Sequence, residues 1–253
     1  MHNDIFSIGN FTIHGYGLMI AIGFLVAVAV GEQRAKKRGM DGDAIVTLGM
    51  LVIVLGFAGG KLLHVLTNMR AFLNDPLSVL GSNGFVVYGG LIVGVLVGYI
   101  YCKKKKLVFL KYFDIIMPSV ALAQAFGRIG CFLAGCCYGR ETHSFLGVKF
   151  PEGSMAPSGV SLIPTQLISS LGDFLIAFLL IWYSKHAKRD GNTGFMYFVL
   201  YGIGRFTIEC FRADERGNVG PLSTSQFISI FMVVAALILL IFRNQKVENS
   251  ENE

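Results

Sequence analysis

Residues 113–134 read FDIIMPSVALAQAFGRIGCFLA, an apolar run with an acid near its start, Asp114, and an arginine, Arg128, well inside it. At about 1.5 Å per residue, a helix of this length spans the roughly 30 Å of a bilayer's hydrocarbon core. An arginine in the middle of such a helix costs about 2.5–3.5 kcal/mol even on the lenient insertion scale, so it must face an aqueous cavity, a carboxylate or an anionic ligand. The stretch predicts a membrane helix that carries a polar site. Outward from it, further apolar runs separated by short polar connections meet the same length rule or nearly do, at residues 16–31, 44–66, 85–102, 166–183, 194–209 and 225–242.

The composition agrees. With 53% hydrophobic and 15% charged residues in 253, and a mean hydropathy of +0.60, the chain is too apolar for an ordinary soluble domain. The expected fold class is all-α: a polytopic integral membrane protein of about seven transmembrane helices. It forms a single membrane domain over 1–253, with an outer loop at 139–164 and a cytoplasmic tail at 243–253. The start at residues 5–11 has no basic segment and no small-residue cleavage site, so the first apolar run is expected to stay as a helix.

The net charge of +6 does not point to a nucleic acid, because the basic residues fall in short clusters beside the apolar runs, where translocation puts them. One set of alternate connections holds Arg34, Lys36, Lys37 and Arg38, then Lys103, Lys104, Lys105, Lys106 and Lys111. It continues with Lys185, Lys188 and Arg189, and ends with Arg243 and Lys246. The other set has only Arg70, Arg140, Lys149, Arg212 and Arg216. The rich side is cytoplasmic, which puts the N-terminus outside and the C-terminus inside.

Lys61, Arg128 and Arg205 fall within the apolar runs. A structural account pairs the arginines with Asp114 or Glu209, or lets them snorkel from a helix end. Two arginines on separate helices favour function. The rigid guanidinium fork suits phosphate, and a phosphodiester head group is the anion that a membrane supplies. The segment from Arg212 to Asn218 follows Arg205 and Glu209 directly, at the mouth of such a site or simply in solvent. The glycines, among them Gly56, Gly59, Gly60, Gly89, Gly90, Gly94, Gly98, Gly202 and Gly204, suit close helix packing in lipid. Residues 139–164 form the longest connection, either a lid or docking surface or a disordered segment.

Residues 127–139, GRIGCFLAGCCYG, contain Cys131, Cys136 and Cys137, with His143 six residues on; Cys102 and Cys210 lie elsewhere. The spacing is not a recognised zinc framework, so no metal is expected. Small-residue packing or a disulfide, with Cys210 as one partner, are the alternatives.

At these residues the sequence resembles the prolipoprotein diacylglyceryl transferase family of bacterial inner membranes, along essentially the whole chain. The likeness runs collinearly through His14-Gly15-Tyr16-Gly17-Leu18-Met19, Gly59-Gly60-Lys61-Leu62, Asn74-Asp75-Pro76-Leu77 and Tyr88-Gly89-Gly90-Leu91-Ile92. It continues through Asp114, Gly127-Arg128-Ile129-Gly130, Pro164-Thr165-Gln166-Leu167 and Tyr201-Gly202-Ile203-Gly204-Arg205-Phe206, then Glu209, Phe211 and Arg212. Order and spacing together carry it. The resemblance implies transfer of the diacylglyceryl group of phosphatidylglycerol to the lipobox cysteine thiol of a preprolipoprotein, with glycerol phosphate released and no cofactor.

The resemblance also implies the site. Arg128 and Arg205 stabilise the leaving phosphate, Glu209 holds Arg205 from one turn away, and the base is sought among Tyr88, Tyr16 and His14. Gly127, Gly130, Gly89, Gly90, Glu209, Arg212, Asp114 and Gln166 join Arg128 as substrate contacts. This chain departs from the family pattern at several positions: Tyr88 stands for a usual His, Lys61 for Arg, Cys131 for Asn, Cys136 for Glu and Ile163 for His. Two rival functions follow: a catalytically silent or altered-specificity homologue that binds lipid or lipoprotein, and an anion transporter, whose repeated half is not visible.

Overall fold

The computed structural model describes residues 4–8, 11–82, 84–187, 189–214 and 217–251. Lys188, Glu215 and Arg216, which entered the charge pattern and the outer segment, lie outside the described residues, as do positions 9 and 10 of the N-terminal stretch. The chain opens with a hairpin of β1 (Asp4–Ile8) and β2 (Phe11–His14), followed by α1 (Gly15–Lys37), α2 (Gly42–Thr67), α3 (Met69–Asn74), α4 (Pro76–Gly81), α5 (Val87–Lys104) and α6 (Phe109–Ala134). Then come β3 (Val148–Lys149), β4 (Ser161–Leu162), α7 (Thr165–Tyr183), α8 (Asn192–Glu209), β5 (Asn218–Val219), β6 (Leu222–Ser223) and α9 (Thr224–Glu251). The protein is mostly helical, with three short antiparallel hairpins that the all-α expectation omitted.

Six helices, α1, α2, α5, α6, α7 and α9, are long and apolar enough to cross a membrane. Their large apolar side chains face outward in quantity, Phe57, Leu91, Phe178 and Phe231 among them, as expected when lipid is the solvent. The helix α8 is long enough at 18 residues but is not among those six, because it carries Arg205, Glu209, three glycines and two tyrosines.

The chain forms two compact units, residues 31–112 and residues 1–30 with 113–253. In the first, the expected glycines bring α2 and α5 into backbone contact. A Cβ at Gly59 would lie 2.8 Å from the Gly89 carbonyl oxygen, and one at Gly90 would lie 2.9 Å from that of Gly56. The Asn74-Asp75-Pro76 motif is a helix start: Asp75 accepts from the Ser78 amide at 3.1 Å and Pro76 opens α4.

In the second unit α1 crosses α6 at two glycines. A Cβ at Gly23 would sit 2.8 Å from Phe126 Cβ, and one at Gly130 would sit 3.2 Å from both the ring and the carbonyl oxygen of Tyr16. Ala121, Ala177, Leu180 and Tyr197 pack α6, α7 and α8 into one core, and Val199, Ala236 and Leu240 join α8 to α9. The Ser170 hydroxyl donates to the Ala125 carbonyl at 2.9 Å, between α7 and α6. Residues 139–164 are folded, neither disordered nor loose. Phe150, Ala156 and Leu162 form a small core under Phe132 and Tyr138, and β3 pairs with β4. Arg140 donates its amide to the Phe211 carbonyl at 2.9 Å, which stitches the loop to the chain after α8.

Asp114, expected to contact substrate, instead caps α8. The helix begins at Gly191 in the left-handed region (φ 95°) with no side-chain cap of its own. Asp114, buried on α6, accepts from the amides of Gly191 at 2.6 Å and Gly194 at 2.8 Å, supplying the negative charge that a helix N-terminus favours. Replacing Asp114 with Ala leaves two buried N–H groups unpaired. It is expected to destabilise the detergent-solubilised protein by about 2 kcal/mol, read as a lowered thermal midpoint, with Asp114→Asn intermediate.

Candidate active site

Three of the candidate arginines, Arg128, Arg205 and Arg212, belong to the second unit. Arg205, one turn before Glu209 on α8, lies with Nη1 2.9 Å from Glu209 Oε2, both side chains largely buried. The Arg205–Glu209 contact is a charge pair without hydrogen-bond alignment. The other arm of Arg205, Nη2, donates to the Ser225 hydroxyl of α9 at 2.8 Å. Arg212 forms a fork with Asp214: Nε donates to Oδ1 at 3.0 Å and Nη2 to Oδ2 at 2.7 Å. This geometry fixes the guanidinium plane.

Arg128 differs. Its guanidinium makes no hydrogen bond or ion pair with any other of the described residues, and the side chain is only partly exposed. A Cβ at the adjacent Gly127 would meet nothing within 4 Å, so no described side chain packs on that glycine. Asp173 on α7, 5% exposed, lies within electrostatic reach of Arg128 and Arg205. Tyr201 is likewise a neighbour of both, and its ring stacks on Tyr197 at 5.6 Å. The Tyr197 hydroxyl donates to Gln124 Oε1 at 2.7 Å.

Arg128, Arg205, Glu209, Arg212 and Tyr16 are thus all in the second unit, and Tyr16 is set against Gly130 with electrostatic partners in Arg128 and the three neighbouring cysteines. His14 is exposed at the end of β2. Tyr88, Gly89 and Gly90 belong to the other unit, where the two glycines are taken up by α2 and Tyr88 is exposed. Lys61, in that same unit, donates to the Ser82 carbonyl at 2.6 Å and stays near the end of its helix.

Gln166 was expected at the substrate. Fully buried, it donates Nε2 to the Cys136 carbonyl at 2.7 Å, while Thr165 donates its hydroxyl to the Cys137 carbonyl, also at 2.7 Å. Both hold the loop after α6. All five cysteines are free thiols, so the disulfide alternative is not realised. The facing thiols of Cys131 and Cys136, then Arg212, hold the Cys137 thiol below the ordinary range; Cys136 is pushed up by the thiols of Cys131 and Cys137 and by burial.

Asp173, Ser225 and Gln124 escaped notice in the sequence. For Asp173 the signal was present: an acid within the apolar run 166–183 raises the same question as Arg128 does within its own run.

The model of the family described as prolipoprotein diacylglyceryl transferase matches residues 3–242. A phosphatidylglycerol–prolipoprotein diacylglyceryl transferase of Clostridium tetani is 48% identical over 237 residues, covering 93% of this chain and 95% of its own. A protein of Clostridium perfringens, named as the second such transferase, is 45% identical over 90% of both chains. One from Finegoldia magna is 35% identical over 99% of this chain and all of its own. A family match over residues 3–242, with relatives this similar along nearly the whole chain, places the protein in the prolipoprotein diacylglyceryl transferase family.

Proposed function

We propose that this enzyme transfers the diacylglyceryl group of phosphatidylglycerol to the lipobox cysteine thiol of a preprolipoprotein in the bacterial cytoplasmic membrane. Its partners are that lipid, the preprolipoprotein signal peptide and the bilayer. In this reading α8 is the seventh span, shielded from lipid by α7 and α9, with the N-terminus outside and the C-terminus cytoplasmic. The observation that carries the proposal is the contrast among the arginines: Arg205 and Arg212 are tied to carboxylates, while the Arg128 fork is uncommitted among the described residues.

The sulfur attacks the glyceryl carbon that bears the phosphate, a C–S bond forms, the C–O bond breaks, and glycerol phosphate leaves with the electron pair. Charge grows on the leaving phosphate. A cation preorganised in a site with little water stabilises that charge by several kcal/mol without solvent reorganisation. Arg128 takes the head group, Arg205 meets the leaving oxygen, and Glu209 with Ser225 fixes where Arg205 points. Asp173 keeps the two guanidinium groups from repelling one another while the site is empty. Tyr16 is the proposed proton acceptor of the second unit, with His14 as its alternative there; Gly127 and Gly130 give the lipid backbone-close access.

Incubation of the purified protein with phosphatidylglycerol and a lipobox peptide should yield modified peptide and glycerol phosphate in equal amounts. Arg128→Lys, which keeps the charge and loses the fork, should lower turnover by about 10²–10³-fold with the thermal midpoint unchanged. A folded wild type that binds the lipid and transfers nothing would replace this reading with the silent homologue.

Glu209→Ala should cost about 3 kcal/mol of stability, since it strands a buried guanidinium. Asp173→Asn should leave the fold intact and lower turnover at least tenfold, with little change in KM for peptide; an unchanged turnover would remove Asp173 from the site.

A further inference from the structure

The helix α6 ends in a turn that brings three cysteines together. Gly135 takes a left-handed conformation (φ 74°), and a Cβ there would lie 2.8 Å from Ser154 Cβ. The chain folds back, the Cys136 amide donates to the Cys131 carbonyl at 3.1 Å, and Cys137 follows with φ 63°, a conformation unusual outside glycine. Thr165 and Gln166, both 1% exposed, pin the carbonyls of Cys137 and Cys136 from the start of α7. The loop is therefore held in place by groups other than the thiols.

The result is that the Sγ atoms of Cys131, Cys136 and Cys137 all lie within 4.8 Å of one another, each partly buried. A tetrahedral zinc ion with bonds of about 2.3 Å sets its sulfurs about 3.8 Å apart. Closing the remaining gap takes side-chain rotation, not backbone movement. We infer that Cys131, Cys136 and Cys137 bind one soft d10 metal ion, Zn(II) in the first instance, through three thiolates.

Thiolate is the ligand that selects such ions over magnesium or calcium. Three thiolates around a divalent cation leave about one net negative charge, and the cluster has cationic neighbours to meet it: Arg128 beside Cys131 and Arg212 beside Cys137. Cys131 stands three residues after Arg128 on α6, so both project from one helix face. An ion here clamps the returning loop to the same face that carries the free guanidinium. Linear spacing did not reveal this, because the third ligand set depends on the Gly135 turn.

The test uses full-length, tag-free protein in detergent, reduced and stripped with a chelator under anaerobic conditions. Cobalt(II) should bind one equivalent per chain and give near-ultraviolet thiolate charge-transfer bands together with intense visible bands of a tetrahedral ion; Zn(II) should then bleach both. Zn(II) should also protect the three clustered thiols of the folded protein from a disulfide reagent while the exposed Cys210 stays reactive, and a chelator should remove that protection. Cys137→Ser should weaken Zn(II) binding about 100-fold, and the Cys102→Ser/Cys210→Ser double variant should bind as the wild type does. If the cysteine variants fail to fold, the wild-type cobalt spectrum decides alone. Absence of the charge-transfer bands in reduced wild type overturns the proposal. So does a protein isolated two mass units light through a bond within the cluster that cobalt cannot compete with after reduction and re-exposure to air. The readout is the ion, and it holds whether or not transfer activity is found.

Discussion

A guanidinium cannot be left bare in hydrocarbon, and the polar architecture of the second unit follows from that cost. Arg205 lies against Glu209 and Ser225, Arg212 is forked onto Asp214, and Asp173 stands within reach of Arg128 and Arg205. The helix that carries Arg205 is in turn the least apolar of the long helices and depends on its neighbours. It is capped by an acid of α6, packed on α7 through the Tyr197 cluster, and closed by α9. Each provision for the cation makes a further demand on packing, and the two units differ accordingly. Residues 31–112 hold together by glycine-mediated backbone contact, whereas the second unit holds together by buried polar pairs set among apolar layers.

Two small residues at the end of α6 have different jobs. Gly130 admits α1 close enough that Tyr16 lies on it, and Gly135 ends the helix and reverses the chain. Arg128 stands two residues before the first of them, and Cys131, the first of the clustered cysteines, directly after it. A β-carbon at Gly135 would bring both steric overlap with Ser154 and backbone strain, so this glycine is required by the turn. Gly127, where a Cβ would meet nothing within 4 Å, is required by neither.

Periodicity and length made the apolar helices legible, and the i, i+4 spacing made the Arg205–Glu209 pair legible, because both are local properties of a helix. What escaped was made by contacts distant in sequence. Asp114 and Asn192 are far apart in the chain, so nothing local said that the acid would cap α8 instead of meeting substrate. Residues 139–164 lack helical period and look loose in sequence, yet Phe150, Ala156 and Leu162 close a core through pairings with the ends of other elements. The role of Gln166 in the loop was not legible either, since the carbonyl it donates to lies thirty residues earlier. Asp173 differs, since an acid within the apolar run 166–183 is a local signal as plain as Arg128 in its own run, and only its neighbours Arg128 and Arg205 are distant in sequence.

The Asp114 cap also bears on how α8 keeps its first turn. The N-terminus of α8 offers two amides that find their acceptor only on α6, and α8 by itself is too polar to partition as the other helices do. Acceptors for these two amides exist only once α6 stands beside α8, so the first turn of α8 is completed by tertiary contact and not by its own sequence. Loss of the α6 contact would fray this helix from its start, whereas α2, which carries its own cap in Asp41, would keep its first turn.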